Sequence, residues 1–179
     1  IRLASLIGNG VDHTKTLVRR EYNNELEAVI INDPDLGSEF LVKKFENRTE
    51  NVGNQISGKV YVLTGSRTAS ASELLINGLR PYMSQVFIVG DTTVGKNVGS
   101  ISLYELNDPK NTWGMQPIVV KSYNSLNESD YSDGFIPDVA DKDNSLFILP
   151  LGDPEENLLS IAIAEITGTG GRKGLSDRR

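Results

Sequence analysis

Two short stretches of this chain hold side chains able to do chemistry together: GSRTASASELL, from Gly65 to Leu75, and VFIVGDTTVGKN, from Val86 to Asn97. The second contains GDTTVGK, which fits the GxxxxGK core of a phosphate-cradling loop. Such a loop needs a strand before it, a Ser or Thr after the lysine to hold magnesium, and a helix behind it. Here Asn97 follows the lysine, and NVGSISLYEL then alternates like a strand. A nucleotide-binding module with Lys96 on a phosphate is therefore the weakest reading. A second arrangement uses both stretches. Ser70 stands where a buried strand passes into a helix, and Lys96 stands at the end of the next strand, 26 residues on. That is one helix plus one strand, so a parallel pair brings both ends to one edge of a sheet. A serine hydroxyl attacks well only when a base takes its proton, and lysine can serve only as the neutral amine. Burial disfavours an ammonium, and the apolar strand and glycine turn around Lys96 would supply it. The helix starting after Ser70 aims the Ala71 N–H at the same spot, as an oxyanion donor. The structural alternative is a capping box, with Ser70 as cap and Glu73 reaching back. Ser66, Thr68 and Ser72 are rival hydroxyls.

The elements that must position these residues can be read from periodicity. KVYVLTG (59–65) and SQVFIVG (84–90) read as strands buried on both faces. Between them ASASELLINGLRPYM places Leu75, Leu79 and Met83 on one helical face, with Pro81 closing the end. Strand, helix, strand with short connections is a βαβ unit. Upstream, Leu3, Leu6 and Ile7 suit a short helix ended by a glycine cap at GNG. TKTLVRREY and EFLVKKFEN mix β-formers with charges and predict exposed or edge strands, with INDPDLGS a turn between them. In the second half GSISLYEL alternates, and MQPIVVKSYN is a strand that Pro117 confines to an edge or bulge early on. GDPEENLLSIAIAEITG predicts a closing helix with Asp153 as N-cap, Pro154 in first position and Gly168 after the end. The remaining tail holds too little apolar surface to pack.

The 179 residues, 38% hydrophobic and 23% charged, suit one globular domain. A net charge of -6 argues against a nucleic-acid or anionic-membrane surface. The absence of cysteine excludes disulfides, thiolate metal sites and a cysteine nucleophile. No apolar run approaches the roughly 20 residues that span a bilayer. The chain opens inside an apolar segment, IRLASLIG, as the middle of a domain would.

KVYVLTGSRTASASELLINGL, then VFIVGDTTVGKNVGS, then GFIPDV, in that order between about Lys59 and Val139, resemble the catalytic core of the S41 serine peptidases, the tail-specific or carboxyl-terminal processing proteases. The resemblance implies an α/β fold with a βαβ-containing core of ClpP/crotonase-like type, a β-rich C-terminal half and a closing helix. It implies one N-terminally truncated catalytic domain over 1–167, and 168–179 as a flexible tail. Ser70 would be the nucleophile, Lys96 the general base and Ala71 the backbone oxyanion donor of a serine-type endopeptidase cutting near the C-terminus of its substrates. No metal or organic cofactor is called for. Ser100 stands where the family commonly has Gln or Glu to orient the lysine amine, so its shorter hydroxyl or a different side chain takes that part. Partners would be peptides or unfolded proteins, laid extended beside strands, with WGMQPIVVKSYN as a candidate edge. A homodimer is admitted, and the location would be exported, in a bacterial periplasm or cell envelope. Trp113 and Met115 are expected in the core rather than in a substrate pocket. His13, the one histidine, lies in a polar loop and does not suit a triad. Asp138 in GFIPDV reads as a turn or helix-capping residue. The family's glycine-rich strand end, which gives a second oxyanion donor, and its PDZ domain would lie upstream of Ile1. Loss of one such donor costs about a hundredfold to a thousandfold, so the chain alone is expected to be weakly active or inactive. A noncatalytic peptide- or ligand-binding relative on the same scaffold is the competing expectation.

Overall fold

The computed structural model describes residues 1–108, 110–143 and 149–169. Helix α1 (Arg2–Ile7) leads to β1 (Thr16–Tyr22), α2 (Asn24–Asn32), a 3-10 turn at Ser38–Phe40 and β2 (Val42–Lys44). Then come β3 (Lys59–Thr64), α3 (Ala71–Leu79), β4 (Gln85–Gly90) and β5 (Val98–Ser100). A hairpin of β6 (Leu103–Tyr104) and β7 (Gly114–Met115) precedes β8 (Ile118–Tyr123), β9 (Val139–Ala140) and α4 (Asn157–Thr167). The expected βαβ unit is present. β3 and β4 pair in parallel from Lys59 opposite Gln85 to Thr64 opposite Gly90, so their carboxyl ends finish side by side. β9 joins β4 in parallel, and a separate antiparallel sheet runs β2-β1-β8-β5.

Helix α3 ties the two sheets together because it is apolar on more than one side. Leu79, with Met83 just beyond the helix, packs on Leu17, Val18 and Phe45 around the antiparallel sheet. Ile76 packs on Ile88, Tyr131 and Phe135 over the parallel one. Gly78 allows the close approach to β1, since a Cβ there would meet the Leu17 side chain at 2.6 Å. On the other face of β4, Val89 meets Leu158 and Ala162 of α4. Ile88 and Val89 are adjacent and point to opposite faces, yet both are fully buried, which makes β4 the central strand of the core.

Several expectations are corrected. β1 is not an edge: it lies between β2 and β8, and buried Leu17 and Val18 anchor it. β8 is also internal, so the candidate edge for strand addition falls instead on β5. β3, expected to be buried on both faces, is an edge of its sheet among the described residues and leaves Leu63 40% exposed. Helix α2 was not anticipated, although Asn23 caps it by accepting the Leu26 N–H and Glu25 and Glu27 occupy its first turn. α4 begins at Asn157, later than expected, because Glu156 caps it by accepting from Leu158 and Leu159, while Asp153 shapes the turn before it. Gly168 does end α4 in the left-handed conformation, whereas Gly8 ends α1 in an extended one. Pro117 stands just before β8, and the β5–β8 pairing shifts register at the start of that strand, between Gly99 opposite Val120 and Ser100 opposite Ile118. Trp113 and Met115 are not in the core: they are 84% and 64% exposed on the hairpin. Asp138 neither shapes a turn nor caps a helix; its carboxylate accepts the Ile88 N–H at 2.7 Å, extending the strand pairing of β4. Residues 170–179, most of the expected tail, lie outside the described residues.

Candidate active site

The end-by-end strands β3 and β4 release two turns that lean on each other. Thr64 Oγ1 donates to the Asp91 carbonyl, and the Val94 N–H donates to the Thr68 carbonyl. The first turn delivers Ser70 in a left-handed-side conformation, φ +55°, unusual for a residue with a side chain. Backbone held in such a sparsely populated region must be fixed by its surroundings. Gly95 does the same for the second turn. Its φ is +90°, and a Cβ there would run into the Ser132 carbonyl, so only glycine allows this path into Lys96.

Glu73 is what fixes both turns. It is fully buried in the first turn of α3, with four donors converging on its carboxylate. Oε2 accepts from the Ser70 N–H at 2.8 Å and from the Lys96 N–H at 2.8 Å. Oε1 accepts from Thr93 Oγ1 and from the Gly95 N–H, both at 2.6 Å. A buried carboxylate without partners would cost several kcal/mol, so a set of four donors is what makes this position tenable. Thr93 in turn accepts the Phe135 N–H, which draws GFIPDV onto the same knot. The amides of Gly95 and Lys96 therefore point at a protein carboxylate. A phosphate loop would need them free, and the chain beyond Lys96 enters β5 rather than a helix.

Ser70 and Lys96 line one cleft of about 170 Å³. Its other walls come from Arg20 and Tyr22 of β1, Leu74 of α3, Val98 and Gly99 of β5, Val120 and Ser122 of β8, and Asn97 and Tyr131. Among Ser66, Thr68, Ser70 and Ser72, Ser70 alone lines it. The Ala71 N–H, at the start of α3, has no acceptor among the described hydrogen bonds and is available to a ligand. Lys96 is exposed, against the expectation of burial, and no hydrogen bond joins its amine to Ser70 among the described residues. Ser100 lies on β5 outside the cleft lining. His13 is exposed and bonds to Asn47, away from this cleft. Tyr131 is buried beside Phe135, and burial, helped by the Glu73 charge, pushes its phenol up to about 12.

A model of peptidase family S41 matches residues 2–140. The chain belongs to peptidase family S41. A solved structure described as a "Putative S41 protease from Bacteroides fragilis NCTC 9343" superimposes with a TM-score of 0.69 at 25% identity. The match covers 94% of this chain and 41% of that one, so this chain spans less than half the length of the protein it resembles. No curated protein sequence matches it. The matched residues form a mixed α/β chain with one parallel and one antiparallel main sheet.

Sequence reasoning missed three parts of the site. Glu73 was visible only as the far half of a capping box, and nothing in its spacing to Ser70 announced the bonds to Gly95 and Lys96. Tyr131 carried no signal beyond its type. Arg20 and Tyr22 lie two apart on β1, the period that puts them on one face, but which face meets the cleft is decided by pairing with β8.

Proposed function

We propose that the chain carries the nucleophile and base of a serine-type endopeptidase, Ser70 and Lys96, on a ClpP/crotonase-like core. The observation that carries this reading is the shared carboxylate. Glu73 accepts the backbone N–H of both residues and so couples their positions at the mouth of one cleft. In the reaction, Ser70 Oγ attacks the scissile carbonyl carbon as the neutral Lys96 amine takes the hydroxyl proton. The oxyanion forms beside the Ala71 N–H, at the positive end of α3. Collapse breaks the C–N bond, Lys96 returns its proton to the leaving amine, and water then hydrolyses the acyl-serine with Lys96 again as base. Because Lys96 is exposed here, the desolvation that favours a neutral amine comes from the peptide that fills the cleft.

Substrates would be peptides or unfolded proteins cut near the C-terminus, lying along β5, an edge of its sheet among the described residues, which begins two residues after Lys96. The enzyme would be exported to a periplasm or cell envelope. A noncatalytic peptide-binding relative is the second reading, favoured by the missing hydrogen bond between Ser70 and Lys96. Labelling with a fluorophosphonate probe separates them. Labelling of the full-length parent that disappears in Ser70→Ala and falls sharply in Lys96→Ala supports the peptidase; labelling that survives Ser70→Ala, or never occurs in that parent, sinks it.

A further inference from the structure

Adjacent arginines on β1 meet opposite fates. Arg19 faces away from the cleft and is fully engaged: its guanidinium lies 3.1 Å from Glu21, donates to Asn127 at 2.9 Å and stacks 4.4 Å from the Tyr123 ring. Arg20, on the other face, sits opposite Ser122, as Tyr22 sits opposite Val120, and all four line the cleft. Arg20 is half-buried, and its guanidinium rests 5.4 Å from the centre of the Phe40 ring. Among the described residues it makes no side-chain hydrogen bond and no ion pair. Lys43 brings a second cation to the same ring at 5.1 Å. No Asp or Glu lines the cleft, and the nearby carboxylate of Glu73 is already saturated by its four donors. In a chain of net charge -6, this cleft presents only cations, Arg20 and Lys96.

Leaving a guanidinium partly desolvated without an anion is unfavourable, and its planar fork matches a carboxylate in a two-point bond. We propose that Arg20, held from behind by Phe40, anchors a carboxylate of the bound peptide, either the chain terminus or an Asp or Glu side chain near the scissile bond. The proposal rests on the peptidase reading of the cleft and makes Arg20 a determinant of specificity, with no part in the bond-breaking steps.

The test is fluorescence-anisotropy binding of three dye-labelled peptides of one parent sequence to the full chain, alongside fluorophosphonate labelling. One ends in a free carboxylate, one in an amide, and one is amidated with a Gln near its end changed to Glu. The free acid, the Glu peptide or both are expected to bind about tenfold to a hundredfold tighter than the plain amide, the range of a charged hydrogen-bonded pair. Which of them gains names the source. Arg20→Gln is expected to erase the difference and Arg20→Lys to keep part of it. Equal binding of all three peptides by the wild type overturns the proposal, as does a preference that survives Arg20→Gln. Absent labelling of the full-length parent with the preference intact would instead strike the peptidase reading and leave the carboxylate anchor standing.

Discussion

The cleft has two walls built in different ways. The wall of Ser70, Glu73 and Lys96 comes from one contiguous run, and its parts are joined mainly through backbone amides and one buried carboxylate. The facing wall, Arg20 and Tyr22 against Ser122 and Val120, exists only because strands about a hundred residues apart pair in one register. The first wall is tied by four hydrogen bonds to one buried carboxylate, the kind of fixation that positioning the proposed nucleophile and base requires. The second presents side chains on a pleated sheet, where a change of one residue alters what a ligand meets without disturbing the knot behind it. In the proposed reading, chemistry sits on the local wall and recognition on the long-range one.

Substitutions can break or sharpen this contrast. The largest effect is expected from Ser70→Ala, which should lower peptide hydrolysis by about a thousandfold or more while leaving peptide binding intact; measured kcat and Kd check this. Glu73→Gln should follow. One acceptor oxygen becomes an NH₂ group facing two donors, which removes two charge-assisted bonds and costs about 3 kcal/mol or more, read from the urea midpoint. It should damage both Ser70 and Lys96 at once, whereas a change on the facing wall should not. Ile88→Ala, in the strand that supports the knot, should cost about 2–5 kcal/mol. Tyr131 supplies a pH dependence. Its folded-state phenol is raised from 10.0 to about 12, so the unfolded chain loses that proton first as pH rises. The contribution is complete below pH 10 and is lost between pH 10 and about 12. Unfolding midpoints of wild type and Tyr131→Phe should converge differently across that window, with the phenylalanine variant showing the shallower fall. The smallest effect is expected at Trp113→Ala, which should shift stability by less than about 0.5 kcal/mol because the ring is almost wholly exposed.

Local patterns in the chain were largely legible. The strand, helix, strand unit, the glycine end of α4 and the approach of Ser70 and Lys96 to one sheet edge all follow from short-range spacing, and the structure contains them. What failed were statements about neighbours. TLVRREY looks like an edge strand because it is charged, yet its charges occupy two faces that are each put to use, one by Glu21 and Asn127 and one by the cleft. Trp113 looks like core by its type, but the hairpin that carries it leaves the ring almost wholly exposed. Asp138 looks like a turn residue because aspartate often is, while its carboxylate stands in for a strand carbonyl beside β4.

The sequence by itself determined the residues that could react and the run that carries them, because a βαβ unit is specified within some thirty residues by its own periodicity and turns. Only the tertiary structure decided that Glu73 would bind both turns, that Lys96 would stand in the open, and that Arg20 rather than Arg19 would face the serine. Those outcomes depend on strand register and on which donors meet in space, and one residue of slip in β1 would exchange the two arginines.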